Sequence, residues 1–240
     1  MGIKILIGIV CLIVFIYALV KFRKIWFGGY IDMFEDPIDG RELLSVDNEK
    51  FVLSAPEKGL SFSTSFWIFI KDWNYRFMNE KVVFDKGGLK CILTPRSNDL
   101  IVEIPIYAER DVQRVVYSNV PLQKWVNISI VLDNRYLDLW LNSELYYSKH
   151  LPNLPLIQEK KPLKISPNGG FHGYLSRFYY WDYPITRSTI YRIFNSGPID
   201  TSLYGWFSKK WRTLTGKIKI SVDVDLSYGD DKKDKEEEEE

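Results

Sequence analysis

Two carboxylates spaced two residues apart on a strand point the same way and can act as general acid and base. Glu109 with Asp111 and Asp223 with Asp225 are such pairs. Gln113 stands where a third acid would extend the first pair, and that pair lies in a charged stretch outside any alternating run, so a solvated turn is expected there. Asp223 and Asp225 alternate with Ile220, Val222, Val224 and Leu226 and read as the wet face of a strand. No catalytic residue is therefore assigned, and the chain is not expected to be an enzyme. Two histidines, His150 and His172, and two cysteines, Cys11 and Cys91, leave too little material for a zinc site, so no metal site is assigned. Asn98, Asp99, Asp133 and Asn134 carry oxygen chemistry suited to calcium, but such residues also occupy turns for backbone reasons. Trp73, Tyr136, Trp140 and Trp181 are expected to face outward, by parity with their apolar neighbours, as a platform for a glycan or a protein.

The charge that surrounds these groups is local. Lys and Arg number 32 against 31 Asp and Glu, a net charge of +1, so a global basic field for nucleic acid is excluded. Residues 229–240 concentrate acids at the C-terminus, as expected for a disordered, solvated tail. Eight Trp, 15 Tyr and 14 Phe in 240 residues favour strands over a helical bundle.

From Ile5 to Val20 the sequence ILIGIVCLIVFIYALV has no charge, with Lys4 before it and Lys21, Arg23 and Lys24 after it. A single transmembrane helix is the expected reading, with snorkelling basic residues making up for a short apolar run. A cleaved signal peptide fits less well, because the run ends in a basic cluster rather than at small residues. Trp26 follows as an interfacial aromatic, which makes residues 1–30 an anchor with its flank. The larger basic cluster after the helix puts the body on the cytosolic side. Few thiols agree with that side, and the sequon Asn127-Ile128-Ser129 argues weakly for the other. Residues 31–50, rich in acids and containing Pro37 and Gly40, read as a linker.

From Phe51 the signals are strand signals. SFSTSFWIFI places Phe62, Thr64, Phe66, Ile68 and Ile70 on one face. Further runs start at Lys81, Leu89 and Leu100, and two apolar stripes, Val126 to Leu132 and Leu137 to Leu141, are joined through Asp133-Asn134-Arg135 as a hairpin. A strand from Gly173 to Trp181 and a short helix from Thr186 to Asn195 close the domain. Beyond residue 200, Leu203, Phe207, Trp211 and Leu214 share one helical face with Trp206 beside it, suited either to a membrane interface or to packing on the domain. An edge strand is expected before residue 228.

The order of these segments resembles the laminin-G-like jelly rolls of the concanavalin A-like lectin and glucanase superfamily. SFSTSFWIFI, VVFDKGG, WVNISIVLD, LDLWLNSEL and PLKI followed by FHGYLSRFYYWDYP stand in the family's order. Ser143 replaces a glycine usual in the turn after Asn142. The resemblance implies an all-β, two-sheet antiparallel jelly-roll sandwich over residues 51–200. It leaves function open, because the fold hosts lectins, hydrolases and structural modules alike. The expectation is a non-catalytic single-pass membrane protein that presents this domain as a binding or structural module. Its partners would be the lipid bilayer and either another protein or a glycan. The resemblance also implies a virion membrane or capsid-associated setting. A membrane-bound lectin is the first alternative and a glycoside hydrolase the second.

Overall fold

The structure, a computed structural model, describes residues 7, 8, 10–12, 14, 15, 17, 18, 30–34, 36–47, 60–107, 112–158 and 160–199. Thirteen strands follow in order: β1 Ile31–Phe34, β2 Ile38–Asp39, β3 Leu44–Val46, β4 Ser61–Asp72, β5 Lys81–Lys86, β6 Leu89–Leu93, β7 Leu100–Ile104, β8 Gln113–Tyr117, β9 Trp125–Asp133, β10 Tyr136–Leu141, β11 Glu144–His150, β12 Leu163–Ile165 and β13 His172–Trp181. One helix, α1 Arg187–Asn195, comes after the last strand. The described residues between 7 and 18 are also helical.

The strands form two antiparallel sheets. One runs β1-β13-β4-β9-β10-β11, with β2 also on β13; the other runs β3-β12-β5-β6-β7-β8. Strand alternation explains the pairing of faces. Phe62, Phe66, Ile68 and Ile70 of β4, Ile128, Ile130 and Leu132 of β9, and Leu137, Leu139 and Leu141 of β10 all lie in the same core cluster as Phe84, Cys91, Leu93 and Val102 of the other sheet. Burial pushes the Cys91 thiol up, so it packs as a small apolar group.

The outer faces differ. Across the second sheet, Lys164, Asp85, Lys90, Glu103 and Arg114 are successive cross-strand partners, a row of alternating sign on the face away from the core. Arg114 Nε donates to Glu103 Oε1 at 2.7 Å at the end of the row. On the first sheet α1 packs over part of the outer face, against Trp181, Val131 and Trp67, and Ser63, Ser65, Asn127 and Ser129 are buried. These hydroxyls are satisfied: Ser63 Oγ donates to the Tyr183 carbonyl (2.9 Å) and accepts from the Ile185 N–H (2.9 Å), and Ser129 Oγ donates to Ser65 Oγ (2.8 Å).

Two glycine positions of the expected pattern have physical causes. Gly87 and Gly88 turn β5 into β6 with φ of +58° and +113°, a region L side chains rarely enter. At Gly173 a Cβ would sit 2.0 Å from the Phe69 carbonyl oxygen, so the close approach of β13 to β4 admits no side chain.

Residues 31–50 are not simply a linker. Ile31 pairs with Tyr180, Ile38 with Leu175 and Leu44 with Ile165, so three strands of this segment belong to the sheets and the domain starts before residue 51. Counting acids hid the apolar residues Ile31, Met33, Phe34, Ile38 and Leu44, which pack on the core between the charges. Within this segment Arg41 grips Asp39, with Nε at 2.9 Å from Oδ1 and Nη2 at 2.6 Å from Oδ2. The hydrogen bond and charge of Arg41 hold the Asp39 carboxyl down to about 2, against an ordinary 3.8. A depressed carboxyl contributes stability above its unfolded value and loses it as pH falls through its folded value. The contribution of this pair is therefore expected to be intact above about pH 4 and to disappear through about pH 2. In Arg41→Gln, a carbon-detected titration of the Asp39 carboxyl should move back towards 3.8.

No helix among the described residues is long and apolar enough to cross a membrane, so the expected transmembrane span finds no support there. Ile5, Val20, Lys21, Arg23, Lys24, Trp26, Trp206 and Trp211, together with the segments 201–228 and 229–240, lie outside the described residues. Glu109, Asp111, Asp223 and Asp225 lie outside them too.

Candidate functional site

The site is built by three consecutive strands and the helix that borders them at the tip of the β10–β11 hairpin. β9 turns into β10 through Asn134, whose φ is +52°. β10 turns into β11 through Asn142 and Ser143 with φ of +48° and +68°. Left-handed conformations at both central residues are what a two-residue hairpin with the sheet's own twist requires. Ser143 thus adopts the conformation for which glycine is usual. Asn142 is held from the neighbouring strand: its N–H donates to the Asn127 carbonyl and its Oδ1 accepts from the Asn127 N–H, both at 2.9 Å.

This hairpin fixes the register of an otherwise unpatterned strand. Tyr136 lies opposite His150, Asp138 opposite Ser148 and Trp140 opposite Leu145, with a bulge between Leu139 and Trp140. With Leu137, Leu139 and Leu141 in the core, the partners Tyr136, Asp138, Trp140, Leu145, Ser148 and His150 share the outward face. Tyr136 is 57% exposed and its ring centre lies 4.9 Å from that of His150. Ser148 Oγ donates to Asp138 Oδ1 at 2.5 Å, which leaves the second carboxylate oxygen without a protein donor among the described residues. Trp140 is half-buried against the cluster under α1, and its indole N–H is buried without a partner. Beside this strip, Ser143, Glu144, Arg187, Ser188 and Tyr191 line an open groove of about 530 Å³ between the hairpin tip and α1.

At the outer edge of the hairpin, Tyr146 meets Tyr117 of β8 edge-on at 4.9 Å, where the two sheets approach each other. Burial and the neighbouring Tyr146 push the Tyr117 hydroxyl up. Tyr146 and Tyr147 are both close to half exposed.

Two of the four aromatics expected to face outward to a ligand do not reach solvent. Trp181 does lie on the outer face, but Ile185, Ile190 and Ile193 close over it with Tyr30, leaving it 1% exposed. Trp73 turns into the end of the sandwich and belongs to the main core. Parity gives a side chain's direction, and the helix that covers it is set by tertiary packing. Tyr136 and Trp140 lie on the outward face of β10, Tyr136 exposed and Trp140 half-buried. His150, Asp138, Ser148, Leu145 and Tyr191 were missed. The Asn142-Ser143 pair was the signal that could have placed β11 opposite β10.

The four oxygen-bearing turn residues do not form one site. Asn98 and Asp99 precede β7 of the second sheet, whereas Asp133 and Asn134 link β9 and β10 of the first. Asp99 accepts from Ser97 Oγ (2.7 Å) and the Asn119 N–H (3.1 Å), and Asp133 accepts from Ser61 Oγ (3.0 Å). Among the described residues no group of three or more His, Cys, Asp or Glu could hold a metal ion. Asn127 of the sequon is fully buried, with Nδ2 donating to Ser65 Oγ and the Phe66 carbonyl (both 3.3 Å), so the folded sandwich has no room for a glycan there.

No protein-family model and no curated protein matches this chain. Solved structures do. The receptor-binding domain of botulinum neurotoxin C/D mosaic serotype is 15% identical with a TM-score of 0.52, covering 64% of this chain and 40% of that one. The binding domain of botulinum neurotoxin DC in complex with rat synaptotagmin II is 18% identical with a TM-score of 0.51, covering 64% and 39%. A further structure of the mosaic C/D receptor-binding domain gives 14% and 0.52, over 67% and 41%. The chain thus spans about two-fifths of the length of these proteins and shares their β-sandwich fold.

Proposed function

We propose that this protein is a non-catalytic binding module tethered to a membrane, and that its recognition surface is the outward face of β10 and β11 bordered by α1. The observation that carries the reading is the strip of Tyr136, Asp138, Trp140, Leu145, Ser148 and His150, which offers ring faces and a carboxylate acceptor side by side. The similar toxin domains are binding domains by name, and one of them is seen in complex with rat synaptotagmin II. Tethering rests on the sequence, in which the uncharged run from Ile5 to Val20 between basic flanks suits an anchoring helix. The basic cluster after that helix favours a domain on the cytosolic side, where the bilayer is that of a cell or, on the family resemblance, of a virion.

A glycan is the second reading. Asp138 has a carboxylate oxygen to accept sugar hydroxyls, with Tyr136 and His150 as flat neighbours.

The test is binding of the full chain to a glycan array and to candidate membrane-associated proteins, compared with Tyr136→Ala and Trp140→Ala. Each change is expected to weaken binding about tenfold or more, as for a central aromatic contact. Tyr107→Ala, an equally exposed aromatic away from the strip, should bind as the parent does. Equal loss in all three variants, or in none, refutes this surface. Protease protection of the C-terminal tail in sealed vesicles tests the side of the membrane separately.

A further inference from the structure

Lys81 opens β5 with its side chain inside the sandwich, 1% exposed, and its Nζ has no hydrogen-bond partner. Nζ lies over the ring of Trp73, 5.3 Å from its centre, a cation–π contact that offsets part of the charge but leaves the N–H donors of both groups buried and unpartnered. Ser166, just after β12, borders β5 two residues along from Lys81, its N–H donating to the Val83 carbonyl at 2.8 Å, and its Oγ is buried without a partner. The segment 73–79 runs over this end. Tyr75 Oη donates to the Gly169 carbonyl at 3.0 Å and Arg76 Nη1 donates to the Asn168 carbonyl. Arg76 and Met78 hold φ of +49° and +74°.

Burial pushes the Lys81 ammonium down, and the charge of Arg76 adds to this, while Asp72 opposes it. Asp72 Oδ1 is occupied by the Asn74 N–H at 2.9 Å, and Lys81 forms no ion pair among the described residues. The one acid near this ammonium makes no ion pair with it, so its charge is only partly compensated, and buried donors are as a rule satisfied. Water would satisfy the donors without adding a counter-charge. The complement to two cations, an indole N–H and a hydroxyl against one acid is a group made of negatively charged acceptor oxygens.

We infer that the end of the sandwich beneath residues 73–79 is a binding site for a small inorganic oxyanion, held by Lys81 Nζ and Trp73 Nε1 with Ser166 Oγ and Arg76 at its margin. The site is separate from the β10–β11 surface and does not depend on the reading given to it.

The experiment uses the full chain, its thermal unfolding followed in sodium phosphate and in sodium sulfate against sodium chloride at matched ionic strength. Saturable stabilisation by the oxyanions is expected, reaching roughly 5 to 10 °C at about a hundredfold excess over Kd. Lys81→Met keeps the shape of the side chain and removes its charge, and should abolish the saturable part. Trp73→Phe keeps the ring and removes the N–H, and titration calorimetry with phosphate should then give weaker binding. Equal oxyanion shifts in the parent and Lys81→Met, or none in the parent, overturn the inference. Should Lys81→Met fail to fold, an unchanged phosphate affinity in Trp73→Phe overturns it instead.

Discussion

Phe66→Ala is expected to lower the unfolding free energy by about 3–5 kcal/mol, the usual range for deleting a buried aromatic ring. Phe66 on β4 stacks on Phe178 of β13 with centres 5.3 Å apart and planes 9° from parallel. Phe84 of the other sheet meets both edge-on, at 5.7 Å from Phe66 and 5.5 Å from Phe178. Three rings, all at most 1% exposed, thus join the two sheets at one point, and no small side chain fills the space that one of them leaves. Urea denaturation followed by tryptophan fluorescence measures the loss. A double-mutant cycle with Phe84→Leu should return about 0.5–1.5 kcal/mol of coupling, the part due to ring geometry rather than volume. A loss below about 1 kcal/mol would mean that the sheets do not meet through these rings.

Arg177→Met is expected to be nearly as severe, and for a different reason. A bulge in β13 between Ser176 and Tyr179, with Arg177 at φ +51°, turns this side chain to the end of α1. There Nη1 donates to the carbonyls of Ser196 (2.8 Å) and Gly197 (2.7 Å) and to Ser196 Oγ (2.7 Å). A guanidinium at a helix C-terminus satisfies carbonyls that the helix leaves open and complements its dipole. Charge-assisted bonds of this kind contribute about 1.5–3 kcal/mol each and are not additive, so a total loss of about 3 kcal/mol is expected. Arg177→Lys should recover little of it, because an ammonium cannot reproduce the planar fork. Hydrogen exchange separates the two variants: Arg177→Met should deprotect α1 first, and Phe66→Ala the whole sandwich. Uniform deprotection in Arg177→Met would argue against its role as the anchor of α1. Loss of that anchor also exposes Trp67, which stacks on Phe194 at 5.7 Å, and loosens one wall of the groove at Tyr191.

The central strands were legible because alternation is a local property. Phe62 to Ile70 and Val126 to Leu132 each repeat an apolar residue every second position, and both proved to be core strands. The helix was legible from the stop that follows it: it spans Arg187–Asn195, and Ser196-Gly197 closes it. β1 to β3 were not legible, since their few apolar residues sit among acids and become strands by pairing with β13 and β12, far along the chain. β11 was hidden for a related reason. Its sequence ELYYSKH carries no periodic apolar face, and as an edge strand it needs none.

The same division runs through the candidate site. That Tyr136 and Trp140 point away from the core follows from the three leucines between and beside them, and the sequence alone determined it. Whether an outward aromatic is wet is not a local property. Trp181 has the same outward direction as Tyr136, yet Tyr30 and α1 cover it, while the end of the sheet that carries Tyr136 lies clear of them. His150 reaches Tyr136 only through a hairpin register, and Lys81 meets Trp73 only across the connection from β4 to β5. Side-chain direction is set by strand parity within a few residues. Burial, neighbours and the groups left without partners depend on which distant segment packs above, and tertiary structure decided those.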